Sequence, residues 1–187
     1  LWLRSSVLQR IDQSVAAFEV MEKAIQLDTR AVASFGPEGY EFESRNLETA
    51  ISKGWLPKGW EDGSRLSKAN ITYTKLPDGP PGSDAAVRIQ VQGSGRSRAT
   101  LLGARFLVRQ NGRITIRGSL RSASGASITV QAKQITEPYA VVATTTERTT
   151  PEWKEFQLSV NARADFAAEV VVIIESYSGN AEADIAD

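Results

Sequence analysis

From Pro151 onward the chain carries apolar patterns that few folds can satisfy. Phe156, Leu158 and Val160 alternate with polar residues, the period of a half-buried strand, and Val170 through Ile174 run without a polar break, as in a strand covered on both faces. Ala181 to Asp187 reads as a last, acidic strand. A chain that ends in three such strands needs a second layer of sheet to cover them.

The same punctuation extends back to Tyr40. An opening strand is expected at Tyr40–Ser44, then strands at about 87–92, 101–109, 113–121, 127–135, 139–147, 154–160, 168–177 and 182–187. A long loop rich in Gly, Lys and Pro is expected to carry Trp55 and Trp60, and Leu76-Pro77-Asp78-Gly79-Pro80-Pro81-Gly82 marks a surface turn. Gln110-Asn111-Gly112-Arg113 and Ser122-Ala123-Ser124-Gly125 suit tight hairpin turns, because asparagine and glycine tolerate positive φ. Gly93-Ser94-Gly95-Arg96-Ser97-Arg98 joins two strands instead of opening a helix, so it reads as a hairpin tip with two exposed arginines, not a phosphate cradle. Strands joined this way predict a mainly β protein of two antiparallel sheets packed face to face over residues 38–187.

Residues 1–37 follow a different period. Leu8, Ile11, Val15, Phe18, Met21 and Ile25 recur at spacings of three and four, opposite Arg10, Asp12, Gln13 and Lys23, which predicts one amphipathic helix over residues 5–28. Its apolar stripe is expected to dock on the sandwich or a neighbouring domain, or to pair as a short coiled coil. Leu1 and Asp187 read as cuts from a larger protein.

Composition narrows the chemistry. The chain has no cysteine and no histidine, which removes disulfides, thiol nucleophiles, the usual general base and the commonest zinc ligand. Lysine plus arginine equals aspartate plus glutamate at 22 each, so no global charge draws the chain to nucleic acid or a membrane. No apolar run approaches the ~20 residues of a spanning helix. Neither a phosphate loop, a dinucleotide fingerprint nor a serine elbow is present, and the carboxylates stand in no recognisable catalytic context.

The charges are nevertheless uneven along the chain. Between Ala85 and Thr136 no acid occurs, while Arg88, Arg96, Arg98, Arg105, Arg109, Arg113, Arg117, Arg121 and Lys133 do. Strand alternation places Arg113, Arg117 and Arg121 on one face with Thr115 and Ser119, and Arg88, Gln90 and Gln92 opposite Val87, Ile89 and Val91. If the two strands are neighbours, one sheet face becomes a field of guanidinium and amide groups; it serves either a ligand or simple solvation balanced by Glu147, Glu152, Glu155, Glu169 and Glu175.

Phe42-Glu43, Gly59-Trp60, Ile116 to Ser122, Trp153-Lys154-Glu155-Phe156 and the spaced aspartates from Asp184 to Asp187 occur in an order that resembles the jelly-roll carbohydrate-binding modules of polysaccharide hydrolases, within the galactose-binding-like group. The resemblance implies a jelly-roll sandwich that binds a polysaccharide or oligosaccharide without catalysis and tethers an attached glycoside hydrolase to it. It also implies an extracellular or bacterial cell-surface location. Trp153 with Phe156, and Trp60, take the place of core residues, and Trp55 that of an exposed stacking ring, with Tyr73, Tyr139 and Tyr177 as further aromatic candidates. The implied ligand set is Trp55, Arg88, Gln90, Arg117, Gln131 and Tyr139. A structural calcium ion would be held by Glu43 and Asp187, whose hard oxygens suit it. The alternative is a structural or protein-interaction sandwich of a larger exported or surface protein.

Overall fold

In the computed structural model, residues 38–83 and 85–186 are described. The helix expected over residues 5–28, and Asp187, lie outside them. Twelve strands form two sheets: β1 (Gly39–Arg45), β2 (Ile51–Pro57), β3 (Glu61–Asp62), β4 (Asn70–Leu76), β5 (Ala86–Gln92), β6 (Ser97–Val108), β7 (Arg113–Arg121), β8 (Ser127–Gln134), β9 (Val141–Arg148), β10 (Lys154–Asn161), β11 (Phe166–Ser176) and β12 (Asn180–Ala186). The seven-stranded sheet has the order β1-β2-β4-β5-β12-β7-β10, and the five-stranded sheet β3-β6-β11-β8-β9.

Alternation decides which side chains meet between the sheets. Val87, Ile89 and Val91 of β5, Ala183 and Ile185 of β12, and Phe156, Leu158 and Val160 of β10 enter the core from one side. Ile128 and Val130 of β8 and Val170, Val172 and Ile174 of β11 meet them from the other. On the central strand β11 the outward Val171 is buried and Ile173 half-buried, in keeping with its unbroken apolar run.

The segment expected as a long loop contains strands β2 and β3, and β4 was also missed; β2 lies parallel to β4, the exception in an otherwise antiparallel fold. The turns at Asn111-Gly112 and Ser122–Gly125 are not hairpins, because β6 and β7, and then β7 and β8, belong to opposite sheets. Asn111 does take φ 60° and Gly125 φ 66°, so the turn chemistry is right while its partners are wrong: positive φ reverses the chain whether it pairs with its neighbour or crosses the core. Gly93–Arg98 likewise crosses between sheets, and its Arg96 is held by Glu175 (3.2 Å) and lies over the Tyr177 ring.

A buried phenol is among the polar links between the sheets. Tyr73 of β4, 2% exposed, donates to Asp62 of β3 at 2.7 Å, and Asp62 also accepts from the Ser64 amide at 3.0 Å. Burial, with the Asp62 charge beside it, raises the Tyr73 phenol well above its ordinary value of 10.0. The folded state thus holds this proton more tightly than the unfolded chain. The contribution is complete below pH 10 and is lost as pH rises further, towards and through the folded-state pKa. Urea midpoints measured across this alkaline range should fall more steeply for the wild type than for Tyr73→Phe, which has no proton to lose.

Candidate functional site

The outward residues of the seven-stranded sheet form rows that cross its strands. In the central row Thr74 of β4 faces Arg88 of β5, Arg88 faces Asp184 of β12, and Asp184 faces Arg121 of β7. Trp153 stands one residue before Lys154, the partner of Leu120, and therefore lies beside Arg121.

Asp184 organises this row. Its carboxylate is 3% exposed and accepts a bidentate pair from Arg88, Nε at 2.8 Å and Nη2 at 3.0 Å, together with Arg121 Nε at 2.6 Å. Glu182, the outward residue next to it on β12, accepts from Gln90 Nε2 at 2.9 Å and stands 3.4 Å from Arg88 Nε. The hydrogen bond to Asp184 raises the Arg88 pKa further, against the opposing effect of partial burial. Arg121 then lies with its guanidinium carbon 4.4 Å from the centroid of Trp153. Its terminal Nη groups take no acceptor among the described residues, so they remain available to a ligand.

Beyond this row the face opens. Arg117 faces Gln157 and Thr115 faces Ser159 across β7 and β10; Arg113, Thr115, Arg117 and Gln157 are exposed. Ile114 and Ile116 turn inward and pack against the core, as alternation requires.

The expected ligand residues do not converge on one site. Arg88, Gln90 and Arg117 share the face just described, although β12 separates β5 from β7 and brings its own acids, Glu182 and Asp184, to the arginines. Gln131 lies between the inward Val130 and Ala132 on β8 and so faces outward from the five-stranded sheet, on the far side of the sandwich. Tyr139, 57% exposed, sits in the β8–β9 turn after the cis Glu137–Pro138 bond, also on the five-stranded sheet. Trp55 is half-buried on β2, packed against the core, with Lys75 Nζ 4.8 Å from its ring centroid. Its ring also covers Gly39, where a Cβ would collide with it.

Trp60 is buried in the core as expected, against Gly103, where any side chain would strike its ring. The core reading of Trp153 is overturned: it is half-buried outside the core cluster and stacked with Arg121. Strand parity contained the signal. Trp153 is even-spaced with Glu155, Gln157 and Ser159, and odd-spaced with the inward Phe156, Leu158 and Val160. Asp184, read only as an acid of the final strand, is the other residue of this row that the expected set omits.

Of the two residues expected to hold a calcium ion, Asp187 lies outside the described residues. Glu43 is exposed on β1, and β2, β4 and β5 intervene before β12, about 19 Å at ordinary strand spacing. Among the described residues no group of three acids gathers that could hold a metal. None of their helices is long and apolar enough to cross a membrane.

No family model and no curated protein sequence matches the chain. Among solved structures, it is similar to a protein from work on the promiscuous specificity of carbohydrate-binding modules of the β-sandwich superfamily, with TM-score 0.52 and 12% identity over 80% of this chain and 73% of that one. It is also similar to the enzymatically active domain of tailspike protein 4 of bacteriophage CBA120, with TM-score 0.53 and 12% identity over 69% of this chain and 18% of that one. A module of family 61, in complex with β-1,4-galactotriose, follows at TM-score 0.48 and 12% identity, over 70% and 86% of the two chains. The described chain therefore has the two-sheet β-sandwich fold found among carbohydrate-binding modules.

Proposed function

We propose that this sandwich is a non-catalytic carbohydrate-binding module whose ligand lies across the outer face of the seven-stranded sheet. The observation that carries this reading is the row Arg88–Asp184–Arg121–Trp153. Sugars are bound by planar donors held in place before the ligand arrives and by aromatic rings that cover their apolar faces. Here two guanidiniums are fixed by one buried carboxylate, and an indole stands beside them. The same carboxylate is occupied by two arginines, which supports a binding role. In a larger exported protein, such a module would raise the local concentration of an attached glycoside hydrolase at its polysaccharide.

The internal pairing of Arg88 with Asp184 and of Gln90 with Glu182 also suits a structural or protein-interaction face that binds no sugar. Retention on a panel of neutral and acidic polysaccharides separates the two readings. Binding by the wild type should weaken roughly thirtyfold in Trp153→Ala and stay unchanged in Tyr139→Ala and Gln131→Ala, on the far side. Loss in the Gln131 variant would move the site to the five-stranded sheet. No retention on any polysaccharide would leave the protein-interaction reading.

A further inference from the structure

Building on the sugar-binding reading of this face, we infer that its ligand is an anionic polysaccharide, gripped through its oxyanion groups by Arg113 and Arg117 along β7 and β10. Five other arginines meet acids of the same chain: Arg88 and Arg121 meet Asp184, Arg96 meets Glu175, Arg105 meets Glu169 and Arg109 meets Asp165. Arg113 and Arg117 are exposed on the candidate face and have no acid partner among the described residues. Arg113 Nη2 donates to the Ser159 hydroxyl at 3.0 Å, and Arg117 faces the amide of Gln157. Each keeps a planar fork of donors for a carboxylate or sulfate.

Their spacing sets the kind of ligand. Four residues along a strand separate the two guanidinium-bearing positions by about 13 Å. A single small anion cannot span them, whereas an extended chain with repeated oxyanions can. Between them Thr115 and Ser159, and beside Arg117 the amide of Gln157, offer hydroxyl and amide groups to the sugar hydroxyls of such a chain. The strip also has a direction. Glu155, opposite Ser119, is its one carboxylate and lies towards Trp153, so it repels oxyanions from that end and steers them to Arg117 and Arg113. The ring would then take an uncharged part of the same chain.

The test uses the 187-residue chain and paired polymers that share a backbone: polygalacturonate with its fully methyl-esterified form, and dextran sulfate with dextran. At least one acidic polymer should bind about tenfold more tightly than its neutral partner, and Arg117→Gln and Arg113→Gln should each remove about tenfold of that affinity. Added salt should weaken it further. Arg98→Gln, an exposed arginine of the five-stranded sheet, should leave it unchanged, and urea midpoints should confirm that all three variants are folded. Selection of polygalacturonate assigns carboxylate as the oxyanion, and selection of dextran sulfate assigns sulfate; both support the inference. Equal affinity for acidic and neutral partners overturns it and leaves the module reading standing. No binding to any polymer removes both. Equal binding to single-stranded DNA overturns it as unselective polyanion attraction.

Discussion

Asp184→Ala should destabilise the protein by about 3 kcal/mol, read as a lower urea midpoint at unchanged slope, and lower its melting temperature by roughly 10 °C. The carboxylate is 3% exposed and is the shared acceptor of two guanidiniums. Removing it strands both charges beside each other on a half-buried surface, and stranded charge accounts for most of the cost of breaking such a group. The arginine side chains retain 33% and 29% exposure, so partial rehydration holds the loss at the lower end of the range for buried pairs. Replacing Arg88 and Arg121 with methionine in the Asp184→Ala background should therefore recover much of the stability, which a simple loss of attraction would not. A loss below about 1 kcal/mol in the single variant would mean that both guanidiniums swing into water, as exposed pairs do. The row would then be too loose to present fixed donors to a sugar, and the proposed binding mode would fall with it.

The residues of this row were legible in the sequence as types and unreadable as partners. Alternation put Arg113, Arg117 and Arg121 on one face, and that face exists. Alternation within a strand says nothing about which strand comes next in a sheet. Only the insertion of β12 between β5 and β7 brings Asp184 to Arg88 across 96 positions of sequence, neutralising the Arg88 and Arg121 part of an expected field of positive charge. Three of the five acids expected as its balance pair elsewhere: Glu175 with Arg96, Glu169 with Arg105, and Glu147 with Lys154, whose hydrogen bond lowers the Glu147 pKa. Gln131 shows the same limit from the other sheet. Its strand was read correctly, but a sandwich has two outer faces, and the sequence does not say which one a strand belongs to. Most strands from β5 onward carry several apolar residues at period two, which makes them legible. Strands β2 and β4 escaped because lysine, glycine and threonine fill their outward and edge positions.

Gly54 is the residue that made β2 look like a loop, and it should prove among the least replaceable positions in the fold. It pairs with Tyr73 in the parallel β2–β4 contact and takes φ 120°, a conformation L side chains rarely adopt. A Cβ there would fall onto the Tyr73 carbonyl oxygen, with the carbonyl carbon 2.9 Å away, so the obstruction is backbone and no rotamer change relieves it. Strain at such a φ and forced displacement of packed structure each cost of order 1–3 kcal/mol, and Gly54→Ala should lose roughly 4 kcal/mol in urea unfolding. Gly125→Ala is the control, since Gly125 also has positive φ (66°) but has nothing within 4 Å of the added carbon. It should lose only about 1 kcal/mol, the cost of the left-handed backbone alone. The difference between the two measures the close approach of β2 to β4. Because the displaced backbone belongs to Tyr73, the Gly54 variant should also weaken the Tyr73–Asp62 bond between the sheets and flatten the alkaline dependence that the bond produces. Equal losses at Gly54 and Gly125 would show that β2 moves aside freely, and the parallel pairing would then be incidental to the stability of the sandwich.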